Sequence, residues 1–102
     1  MDTFAAIGDS TRRGMLEMLL VGEQSVGQFV SAFPEMSQSA VSQHLKVLRE
    51  VNLVRARVDG SKRMYSLVPE TLREVDQWIM RYRHFWARRL DTLARHLNEH
   101  PK

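Results

Sequence analysis

There is no cysteine among the 102 residues of this chain. Disulfides, thiolate metal sites, iron–sulfur clusters and cysteine nucleophiles are thereby excluded, and nothing calls for an oxidising compartment, so the cytoplasm is the expected location. Long apolar runs are missing too: no stretch approaches the roughly 20 residues that a membrane-spanning helix requires. Residues 1 to 10 carry Asp2 and Asp9 and lack a basic segment followed by an apolar one, so no signal peptide is expected. There are no internal repeats, low-complexity tracts or Gly/Ser-rich linkers, and at this length a single domain over residues 1–102 is expected. No phosphate loop, nucleophile elbow or paired-carboxylate motif is present, so no enzyme and no cofactor is expected.

What is present suffices for a core: 43% of residues are hydrophobic and 26% charged, inside the ordinary globular range. The net charge of +3 is unevenly spread. Residues 1–36 hold two basic against five acidic side chains, a net −3. Residues 37–63 hold six basic (Lys46, Arg49, Arg55, Arg57, Lys62, Arg63) against two acidic, a net +4, and the remainder is +2. A basic, acid-poor segment inside a balanced chain is the footprint of a surface that meets phosphates.

Phe4, Ala5 and Ile7 predict a short first helix stopping at Gly8. Asp9 then caps a second helix through Met15, Leu16, Leu19 and Leu20, ending near Gly22. Ser25 and Gln28 read as a capping box for a short helix over Val26 to Phe33, which Pro34 terminates. Ser37 caps a helix over about 38–50, whose Val41, Leu45 and Leu48 form an apolar stripe. Its other face is Gln38, Ser39, Ser42, Gln43, Lys46 and Arg49. From Val54 the period changes to two, Asp59-Gly60 supplies a turn, and Lys62 to Leu67 returns, so a β-hairpin over about 54–67 is expected. Pro69 opens a last helix over about 70–98. Such a helix is roughly 40 Å long, whereas a domain of this size has a radius of about 13 Å. Its apolar residues Trp78, Phe85, Trp86, Leu90, Leu93 and Leu97 therefore need a partner, and with Phe4 they are the expected interface of a homodimer. Trp78, Tyr82, Phe85 and Trp86 fit an interface first, with a pocket for a small-molecule effector as the alternative; no effector is identified.

The expected fold is mainly α with a small β-hairpin: a winged helix-turn-helix with a long C-terminal dimerisation helix. Such a helix fits the major groove of double-stranded DNA, where Gln38, Ser39, Ser42 and Gln43 allow close approach and hydrogen bonding to base edges. Lys46 and Arg49, with Arg57, Lys62 and Arg63 of the hairpin, are the expected phosphate contacts. Arg12 and Arg13 admit two readings, a phosphate contact or an ion pair with Glu17. For His44, packing or a bond to a neighbouring helix stands beside a DNA contact. The alternative function is a winged helix that binds protein without reading DNA, which would expose apolar anchors where this chain places charge.

The stretch Gly8-Asp9-Ser10-Thr11-Arg12-Arg13 with Met15-Leu16, and Met36-Ser37-Gln38-Ser39-Ala40-Val41-Ser42-Gln43-His44-Leu45-Lys46-Val47-Leu48-Arg49-Glu50 followed by Leu53-Val54 and the basic hairpin, resembles the ArsR/SmtB family of bacterial winged-helix repressors. The likeness spans residues 3–68; the last helix agrees in position and pattern. The resemblance implies a homodimer on an inverted repeat, released by an inducer, with the recognition helix at Gln38, Ser39, Ser42, Gln43 and Lys46 and the wing at Arg57 to Arg63. Many relatives sense metals through cysteines, which this chain lacks. Another family site pairs Asp and His with a second His and Glu on the last helix, but Tyr82 stands where the Asp before His84 is needed. The remaining candidates, His96, Glu99 and His100, do not complete the four ligands of a zinc site, and no metal is expected.

Overall fold

A computed structural model describes residues 1–99. The elements in chain order are α1 (Thr3–Ile7), α2 (Ser10–Met18), a 3-10 turn (Leu19–Val21), β1 (Gln24–Ser25), α3 (Val26–Ala32), α4 (Gln38–Glu50), β2 (Val54–Asp59), β3 (Lys62–Leu67) and α5 (Pro69–Glu99). The architecture is the mainly helical winged helix-turn-helix with a small β element and a long C-terminal helix. No helix among the described residues is long and apolar enough to cross a membrane.

The first 72 residues form one compact unit. Helices α1 to α4 each start at a capping side chain: Asp2 accepts from the Ala5 amide, Asp9 from Arg12, Ser25 from Gln28 and Ser37 from Ala40. At α3 the box is reciprocal, since Gln28 Oε1 accepts from the Ser25 amide at 2.7 Å. The core is Ala6, Met15, Leu19, Phe29, Val41, Leu45, Leu48, Leu53, Val54 and Tyr65, drawn from α1 through β3. Phe29 and Tyr65 meet edge to face at 6.2 Å, joining α3 to the sheet.

α4 ends in a Schellman motif. Asn52 takes φ 60°, its amide reaches the Arg49 carbonyl at 3.1 Å, and the Leu53 amide reaches that of Leu48 at 3.0 Å. Leu48 and Leu53, the apolar pair that accompanies this motif, are both fully buried. The chain thereby leaves the helix pointed into β2.

Three details depart from the sequence expectations. α2 gives way at Leu19 to the 3-10 turn, which turns Leu20 outward to 73% exposure although the apolar stripe includes it. The hairpin becomes an antiparallel sheet of order β1-β3-β2, since Gln24 pairs with Tyr65 and Ser25 with Met64. A two-residue strand is too short to show a period. The turn lies one residue later than expected: Asp59 pairs with Lys62, leaving Gly60-Ser61 as the loop. Gly60 has φ 64° and Ser61 does not have a positive φ, the pattern of a II′ turn, which needs glycine first.

From Arg73 onward α5 is a second unit. None of its described residues is buried. Local contacts order its surface: Trp78 lies 4.8 Å from Tyr82 and Phe85 5.9 Å from Trp86, with Arg89 stacked over Phe85 at 4.9 Å.

Candidate nucleic-acid interface

Val41, Leu45 and Leu48 turn one face of α4 into the core, which forces Gln38, Ser39, Ser42, Gln43, Lys46 and Arg49 to the surface. Four of these, Gln38, Ser42, Lys46 and Arg49, form one wall of an open cleft of about 1200 Å³. Ser61, Lys62 and Arg63 at the end of the hairpin form the facing wall, and α3 with β1 contributes Ser25 and Gln28. Two cations of a helix thus share the cleft with two cations at the start of β3, and among the described residues no carboxylate lines it. Lys46 reaches Glu50 only at 4.0 Å, with both side chains well exposed. Such a pair is weak and readily exchanged for a phosphate. Ser39 and Gln43 lie on the exposed face of α4 outside the cleft lining.

Arg57 is the expected phosphate contact that the structure sets apart. Its Nε donates to Glu23 Oε2 at 2.8 Å and its Nη2 to Glu23 Oε1 at 2.7 Å. The hydrogen bonds to Arg57 hold the Glu23 carboxyl below its ordinary range, and the same bonds raise the guanidinium. The Arg57 side chain is still 55% exposed, so the pair orients the guanidinium without burying it. No local signal points to Glu23, because the two residues are 34 apart in the chain.

Arg12 and Arg13 turn toward α1 rather than toward Glu17. Arg12 Nε donates to the Ala6 carbonyl at 2.7 Å and Nη2 to that of Ala5 at 3.4 Å, while Arg13 Nη1 donates to Ile7 at 2.7 Å. Two cations badly placed for the N-terminus of α2 are well placed for the C-terminal carbonyls of α1. Arg12 Nη1 also lies 3.2 Å from His44 Nδ1. Guanidinium only donates, so Nδ1 accepts, and of the readings open for His44 the structure supplies the bond to a neighbouring helix. Asp9 sits in this cluster. The Arg12 amide bonded to its carboxylate lowers its pKa, with the charge of Arg12 acting in the same direction.

The expected dimer residues lie on two elements. Phe4 is on α1, and Trp78, Phe85, Trp86, Leu90, Leu93 and Leu97 are on α5, all exposed. His96 and Glu99 also lie on α5, and among the described residues no group of three metal-ligating side chains comes together. His100 lies outside the described residues.

A capped helix with a short polar outer face, a preceding helix packed across it and a hairpin that completes a cationic cleft define a winged helix-turn-helix regulator. Known proteins agree. The sequence pattern of the "bacterial regulatory protein, arsR family" matches residues 9–56. The chain is 40% identical over 89 residues to the HTH-type transcriptional regulator Rv2034 of Mycobacterium tuberculosis, covering 87% of this chain and 79% of that protein. It is 28% identical over 81 residues to the transcriptional repressor SdpR of Bacillus subtilis, covering 79% and 89%. A solved structure described as a possible transcriptional regulator for arsenical resistance superposes with a TM-score of 0.74 at 38% identity, over 92% of this chain and 94% of that one. The chain belongs to the ArsR family of bacterial regulatory proteins and is a DNA-binding transcriptional regulator.

Proposed function

We propose that the chain is a cytoplasmic, homodimeric repressor that binds an inverted-repeat operator in double-stranded DNA. The 102 residues act as one winged-helix subunit, without catalytic activity or a resident metal or cofactor. Gln38, Ser39, Ser42 and Gln43 read base edges in the major groove, while Lys46, Lys62 and Arg63 hold the flanking phosphates. The observation that carries this reading is the acid-free cleft between α4 and the hairpin, with cations on both walls.

The repressor part is supported by the naming of one relative, SdpR, as a repressor. Dimerisation is supported by the exposed apolar residues of α5, with Phe4 as a further contact. Two protomers related by a two-fold axis present their recognition helices about 34 Å apart, one turn of DNA, which makes the operator an inverted repeat. The test is selection of bound fragments from sheared source DNA by the purified protein at near-physiological salt. Enrichment of a short inverted repeat upstream of one or a few genes is the expected result. Recovery of random sequence alone would contradict the reading and favour a winged helix that binds protein.

A further inference from the structure

The Arg57–Glu23 ion pair closes to 2.7 Å, against 3.6 to 4.0 Å for Arg83–Asp76, Arg55–Glu70 and Lys46–Glu50. It is two-pronged, so it fixes orientation as well as distance. It also spans the sheet. Arg57 belongs to the edge strand β2 and Glu23 immediately precedes β1 at the other edge, with β3 between them. Directly paired residues share a face of a sheet and successive residues alternate. Ala56 pairs with Tyr65, which is buried in the core, so Arg57, paired with Met64, belongs to the opposite face. Arg63, two residues from Tyr65, shares the Tyr65 face and lines the cleft with it. The ion pair thus lies on the face opposite Arg63, while Lys62, two residues before Met64, shares the face of the pair.

We infer that Glu23 and Arg57 are positioning residues for DNA binding: their pair braces the hairpin so that Lys62 and Arg63 face Lys46 and Arg49 across the cleft, while Arg57 touches no phosphate. This rests on the DNA reading of the cleft. A two-stranded projection held only at its base can hinge. A link from the middle of β2, two residues before the strand ends at Asp59, back to the start of β1 restrains that motion at the point where it matters. The brace costs the interface one cation and returns a fixed geometry for two others, the usual benefit of preorganisation.

The test is a charge-swap cycle on a duplex recovered by the fragment selection, read by fluorescence anisotropy over a series of salt concentrations. Glu23→Gln and Arg57→Gln each weaken binding about threefold to fivefold, the range an exposed, screened pair can support. The double variant is no weaker than either single one. The swap, Glu23→Arg with Arg57→Glu, restores binding to within about twofold of wild type. The slope of affinity against salt stays constant throughout, because the number of phosphates neutralised does not change. Amide exchange at Val58 and Met64 quickens in the single variants and slows again in the swap, with the thermal midpoint unchanged.

A slope lowered by about 0.9 in Arg57→Gln would mark a direct phosphate contact and overturn the inference. Tighter binding by Glu23→Gln, unaffected single variants, or a swap weaker than either would overturn it equally. Wild-type protein that binds no specific duplex would remove the functional reading and this one together; wild-type binding without rescue by the swap removes this one alone.

Discussion

Asp9 shows how one side chain serves two levels of structure. Its carboxylate caps α2 by accepting from the Arg12 amide at 3.1 Å, and the same Arg12 crosses to the end of α1 and to His44 on α4. The pKa of Asp9 lies below its ordinary 3.8, chiefly through that amide bond. A lowered carboxylate contributes stability that is fully present above the ordinary value and is lost as pH falls through the folded-state value. Asp9→Ala should therefore cost about 1 kcal/mol at pH 7, the typical value of an N-cap. The difference from wild type should shrink as pH drops below 3.8. Urea unfolding at stepped pH measures both; a difference that stays constant into acid would contradict this account of the cap. At this scale the sequence was legible wherever the signal was local. The caps at Asp9, Ser25 and Ser37 and the Gln28 reply lie within three residues of their partners. The partners of Arg12 and Arg57 on other elements, 32 and 34 residues away, leave no mark on local pattern.

Among the elements, α4 is the one whose placement decides function, and its two ends are fixed by different means. Ser37 fixes the start, and the left-handed Asn52 fixes the exit into the hairpin. Asparagine tolerates this conformation at a cost that glycine avoids and a β-branched residue raises to roughly 1–2 kcal/mol. Asn52→Gly should leave stability equal or slightly higher, and Asn52→Val should lower it by roughly that amount. Denaturant midpoints of the two variants check the order, and a stable Asn52→Val would contradict the αL assignment. The apolar period of α4 was plain in the sequence because Val41, Leu45 and Leu48 pack on a core that runs the length of the helix. β1 was not, since its two residues are strand only through pairing with β3. Leu20 followed the helical stripe yet lies exposed, because the backbone tightens to a 3-10 turn one residue earlier.

For the whole molecule, the helix from Arg73 onward raises the question of what covers it. At 100° per residue, Ile79, Tyr82, Trp86, Leu90, Leu93 and Leu97 fall within an arc of about 80°, with Trp78 and Phe85 beside it. That straight apolar seam, exposed in a single chain, fits the same helix of a second copy and underlies the proposed homodimer. Leu93→Glu or Trp86→Glu places a charge in the seam and should give monomers by sedimentation. Those monomers should bind the inverted repeat at least about tenfold more weakly, since each half-site then bears its own cost of association. A wild-type protein that sediments as a monomer would contradict the proposal.

The central claim is a division of labour, with α4 reading sequence and the hairpin holding the backbone. It is tested most directly by measuring Gln43→Ala and Arg63→Ala on a panel of single-base operator variants and on random duplex, at several salt concentrations. The account predicts that Gln43→Ala loses discrimination at one base position per half-site, by about 1–3 kcal/mol. Arg63→Ala should weaken every duplex alike and lower the salt slope by about 0.9 for each phosphate no longer neutralised. Equal losses by both variants on specific and random DNA would contradict it.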